Sequence, residues 1–142
     1  VSGKAVPLAF KRVPKLWAVG LHAVALAGSL VLFAGRKPGV FRSETIRAHL
    51  PDFYLHVSNA SISCLLYAGI GYFWLMMGVS MKQLALAGVA LVATNVVFEV
   101  AVPILNTRDP VDAVYGVIGT ACGFVVLWLV DRYGMVPNPE AG

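Results

Sequence analysis

Asp52, His56, Asn59 and Ser63 follow one another at spacings of four, three and four, which puts them on one face of an α-helix. Further along, Asn95 and Glu99 are four apart, and Asp112, Gly116, Gly119 and Gly123 repeat the four, three, four spacing. Arg108 and Asp109 lie between those two groups. Three kinds of chemistry are open to such residues. His56 becomes a general base if Asp52 or Glu99 orients its ring. His56, Glu99, Asp109 and Asp112 together offer ligands for a divalent cation that would polarise a phosphate ester. Arg108 carries a planar fork that fits a phosphate or a carboxylate. The candidate catalytic residues are therefore His56, Glu99 and Asp112. The candidate ligand-binding residues are Asp52, Asn59, Asn95, Arg108 and Asp109. No HExxH pair and no Cys/His spacing calls for a resident metal, so no obligatory cofactor is expected.

The elements that must carry these residues are legible in the charge pattern. Of the 142 residues, 58% are hydrophobic and only 13% are charged, where a soluble domain carries about 25% charge. Mean hydropathy is +0.77. A soluble fold of this length cannot bury so much apolar surface, so lipid is the expected solvent. No formal charge falls between Lys15 and Arg36, between Asp52 and Lys82, from Gln83 to Phe98, or from Ala113 to Val130, with His taken as neutral. A spanning helix needs about 20 mostly apolar residues. The pattern predicts four spans, near 16–35, 53–77, 83–105 and 110–131, forming one all-α transmembrane domain over 1–142. The first run is too long for a signal-peptide core and no A-x-A site follows it, so it reads as a retained span. Cys64 and Cys122 both fall inside spans and read as small buried hydrophobes.

Four spans put both termini on one side of the membrane. The basic KRVPK cluster before the first span favours a cytoplasmic location for them in a cell membrane. The net charge of +4 comes from Lys and Arg at the ends of apolar runs. This placement suits lipid headgroups and excludes a nucleic-acid surface. Between the first two spans, Pro38 and Gly39 end a helix, and Ser43 can cap a short helix lying at the interface. Pro103 can kink or end the third span, and Thr107 or Asp109 can cap the fourth, with Pro110 in its first turn. The glycine stripe below Asp112 lets another helix approach closely. With this topology Asp52, His56, Glu99, Arg108, Asp109 and Asp112 share one leaflet, at one end of a polar pocket whose deeper part is lined by Asn59, Asn95 and Ser63.

Three blocks resemble the VanZ-like family of small membrane proteins: LPDFYLHVSNAS with Asp52 and His56, Glu99 at the end of the next span, and NTRDPVDAVYGVIGTACG with Arg108, Asp112, Gly116 and Gly119. The likeness covers about residues 51–125. The chain departs from the family pattern at Phe53, where a Lys is common, at Val102, where a Gln is common, and at Tyr115, where an Asn is common. The resemblance implies a polar intramembrane pocket and a role linked to the cell envelope and glycopeptide resistance; it implies no particular reaction.

Three functions compete on these residues. The first is recognition of a membrane lipid or lipid-linked envelope precursor. The second is an integral enzyme acting on a lipid phosphate or related headgroup. The third is an accessory subunit that meets a membrane-protein partner or a second copy of itself through its smooth glycine face.

Overall fold

A computed structural model of the chain describes residues 10–101 and 109–141. Strand β1 (Arg12–Pro14) leads into α1 (Leu16–Gly35), the short α2 (Glu44–His49), α3 (Phe53–Met76), α4 (Met81–Ala101) and α5 (Pro110–Leu129). A π-helical turn (Val130–Gly134) extends α5 into strand β2 (Met135–Pro137). The four long helices are each apolar and long enough to cross a membrane, so the chain is a multi-pass membrane protein. The short α2 sits between the first two spans, as its pattern predicts.

Helices α3 and α5 form the central pair, with α1 against α3 and α4 against α5. The reason is the small-residue seam. A Cβ placed on Gly119 would come within 2.7 Å of the Ala60 carbonyl carbon and Cα, and one on Gly123 would lie 3.2 Å from the Tyr67 ring. Only bare glycine backbone lets α5 lie this close to α3. Leu75, Leu84 and Leu127 close the core at the other end of the bundle. Tyr67, 5% exposed, donates its hydroxyl to the Leu84 carbonyl at 2.6 Å and ties α3 to α4 where few other contacts join them. Most other apolar side chains face outward, as expected where the surrounding solvent is hydrocarbon.

Helix starts follow local chemistry. Asp109 accepts a hydrogen bond from the Val111 amide at 2.9 Å and Pro110 takes the first helical position. Ser43 accepts from the Ile46 amide at 3.4 Å and starts α2. Asp52 precedes α3 without a side-chain cap and is exposed. Of the residues read as shaping the end of the third span and the start of the fourth, Pro103 and Thr107 lie outside the described residues.

The termini carry a feature that periodicity does not show. β1 pairs antiparallel with β2, Arg12 opposite Pro137 and Pro14 opposite Met135. The Arg12 guanidinium donates to the Asp131 carboxylate at 2.5 Å and to the Asp131 carbonyl at 3.1 Å. Asn138 donates its amide side chain to the Phe10 carbonyl at 2.7 Å. This ribbon clasps the two ends of the chain on one side of the bundle. Cys64 is buried, but Cys122 is exposed, so the two cysteines are not alike.

Candidate functional site

The site forms where α5 begins beside the first two turns of α3. His56 lies on α3 one turn below Asp52. Asp109 caps α5 and Asp112 stands in its first turn. Because the glycine seam draws α5 onto α3, both α5 acids reach the imidazole. His56 Nδ1 is 2.9 Å from Asp112 Oδ1 and 3.5 Å from Asp109 Oδ2. The side chains of His56 and Asp112 are only 15% and 17% exposed. Ligand atoms from these three residues all lie within 4.8 Å of one another, so the group could hold a metal ion. Tyr115, one turn further into α5, leans against the imidazole at 5.5 Å between ring centroids and against Phe53 at 6.0 Å.

The acid that orients His56 is therefore Asp112, rather than Asp52 or Glu99. Asp52 points into solvent from the helix start, and Glu99 is engaged elsewhere. Glu99, at 4% exposure, accepts a hydrogen bond from the Asn59 side chain at 3.2 Å. A carboxylate at this depth is costly unless polar groups meet it, which is what Asn59 does from the facing helix. Asn95 lies one turn further in, with its side-chain nitrogen packed on Gly116. Among the described residues that nitrogen has no hydrogen-bond partner. Asn59, Ser63 and Asn95 line a cavity of about 200 Å³ with Thr94, Leu91 and Phe98. The polar stripe of α3 thus faces protein rather than lipid. Arg108, and with it any Glu99–Arg108 pair, lies outside the described residues.

A second space opens on the other side of Tyr115. A groove of about 350 Å³ runs between α1, α3 and α5, with Leu50, Phe53 and Tyr115 at its mouth and Ser61, Cys64 and Cys122 at its inner end. From Phe53 to Cys64 the helix rises about 16 Å, half the roughly 30 Å thickness of a hydrocarbon core. The groove is therefore about as long as one leaflet is thick. Tyr115 forms the wall shared by this groove and the His56 cluster.

The interfacial segment next to α3 carries Arg42 and Arg47, the latter paired with Glu44 at 2.7 Å. The Arg42 guanidinium lies 5.2 Å from the centre of the Tyr54 ring, and the Tyr54 hydroxyl accepts a hydrogen bond from the Ser43 amide at 2.9 Å. Tyr54 is buried in the first turn of α3, so these contacts fasten the interfacial segment to the top of the site helix. Val40, Phe41 and Leu50 are exposed beside Arg42 and Arg47, the mixture of an interfacial surface.

Sequence reasoning missed the groove and the ribbon. The two matching Val-Pro pairs, Val13-Pro14 and Val136-Pro137, outside the first and last spans are the signal that could have found the ribbon. Comparison with family models, with curated proteins and with solved structures yields no match to this chain.

Proposed function

We propose that this membrane protein recognises a lipid or lipid-linked envelope molecule from within one leaflet. Its polar head would lie at the His56–Asp109–Asp112 end, on the side of the interfacial segment that carries Arg42 and Arg47, and its chain would lie in the groove. The observation that carries this reading is the shared Tyr115 wall, which puts a one-leaflet apolar groove directly beside a polar cluster. Basic side chains on the interfacial segment favour an anionic head. The spacing of Asp52, His56, Glu99, Arg108, Asp112 and the glycines supports placing the chain with the VanZ-like proteins and its ligand in the cell envelope, with cytoplasmic termini.

The test is lipid retention, measured by native mass spectrometry from nanodiscs that mix zwitterionic lipid with an anionic prenyl phosphate. Cys122→Phe fills the inner end of the groove from an exposed position and leaves the core intact. Wild type should keep the anionic lipid while Cys122→Phe releases it. Equal retention by both, or no preference over the zwitterionic lipid, would refute the proposal.

One further reading has its own observation. Asp112 faces His56 Nδ1, and among the described residues no hydrogen bond engages Nε2, which could then accept a proton from water as a general base does. On that reading the chain hydrolyses a lipid phosphate. His56→Gln would then abolish turnover.

A further inference from the structure

We propose that His56, Asp109 and Asp112 form a binding site for a divalent transition-metal cation, with zinc as its natural probe. A cation about 2.1 Å from three nitrogen and oxygen ligands in tetrahedral array spaces those atoms about 3.4 Å apart. Two of the spacings here, 2.9 Å from Nδ1 to Asp112 and 3.5 Å from Nδ1 to Asp109, straddle that value. The third, between the two carboxylates, is at most 4.8 Å.

Charge points the same way. Two carboxylates converge on one imidazole at a half-buried position, and like charges held close in a poorly solvated place repel. Among the described residues, the ion pairs of Asp109 and Asp112 go only to His56. A divalent ion balances both acids. The N-terminal end of α5 opposes a cation with only about half an elementary charge, which two carboxylates outweigh. The ligands are also held in place before any ion arrives. Asp109 is fixed by its cap to the Val111 amide and His56 by the Tyr115 ring. A nitrogen ligand beside two oxygens favours zinc and the other metals that imidazole suits over calcium and magnesium, which prefer oxygen alone. Three protein ligands leave a coordination position open for water or an anion. The same cluster is where the head of the proposed lipid would lie, but no groove residue is a ligand, so zinc binding is measured independently of lipid retention. It also competes with the general-base reading, because a metal-bound Nδ1 cannot donate to Asp112.

The experiment uses the full chain purified in detergent with a tag that contains no histidine. Zinc alone is added, unbound metal is removed, and bound metal is measured by elemental analysis and by competition with a chromophoric chelator. One zinc per chain is expected in wild type and in the surface controls Glu44→Gln and His49→Ala. Affinity should fall at least about tenfold in Asp112→Asn and in Asp109→Asn. Asp109→Asn is the decisive variant, because Asn caps a helix as well as Asp does and so the fold is kept. Cobalt bound to wild type should show visible bands of a low-coordinate site, a readout that needs no variant. Absence of stoichiometric zinc, unchanged affinity in Asp109→Asn, or a cobalt spectrum like that of the free aqueous ion would overturn the proposal.

Discussion

Gly119→Ala tests whether the glycine seam is what assembles the site. The added Cβ would stand 2.7 Å from the Ala60 carbonyl carbon and Cα, and still nearer the carbonyl oxygen. Ordinary contact begins near 3.4 Å. The obstacle is helix backbone, so no side-chain rotation relieves it and α5 must move off α3 by something approaching 1 Å, on the order of the overlap. Such overpacking costs about 1–3 kcal/mol. Replacing a helical glycine by alanine returns up to about 1 kcal/mol, so the net loss is about 0–2 kcal/mol. Gly69→Ala on α3 and Gly28→Ala on α1 meet nothing within 4 Å and should gain stability or stay neutral. Unfolding in mixed micelles, followed by helical circular dichroism, would place Gly119→Ala about 1–3 kcal/mol below these controls, since the gain from replacing glycine is common to all three. The same parting of helices would stretch the 2.9 Å His56–Asp112 contact beyond hydrogen-bond range, so the imidazole NMR signal of His56 should change as well. If all three alanine variants unfold alike, close approach at Gly119 does not set the α3–α5 distance and the account of the site is wrong.

A second seam contact allows a rescue. Gly116→Ala drives a methyl into the Asn95 side chain, so it should destabilise the protein, and adding Asn95→Ala should restore most of the loss, with a coupling of about 1 kcal/mol or more in a double-mutant cycle. At the other end, Arg12→Ala removes an ion pair whose side chains are 30% and 25% exposed. With solvent screening its contribution to global stability is roughly 1 kcal/mol or less, yet hydrogen exchange should rise in 12–14 and 135–137 while the His56 region stays protected.

The elements that charge and periodicity describe are local, and for them the sequence was a sufficient guide. The uncharged run from Lys15 to Arg36 became α1, Ser43 and Asp109 start helices by accepting from amides two or three residues away, and Pro110 takes the first position of α5. The polar stripe of α3 and the glycine stripe of α5 were each visible as spacings of four, three and four. What the stripes would touch was not, since that depends on how closely two helices distant in sequence approach. Asp52 is the sequence neighbour of His56 on its own helix face, but the imidazole turns to Asp112, 56 positions away, because Gly119 packed on Ala60 brings α5 within reach. Glu99 drops out of the His56 cluster for the complementary reason, as Asn59 on the facing helix engages it first. The Arg12–Asp131 clasp and the groove beside Tyr115 likewise join positions more than fifty residues apart. Composition alone determined that lipid is the solvent and that four helices cross it. The distance between α3 and α5 decided which acids meet the histidine, and that distance is a property of packed backbones that no single stretch of sequence contains.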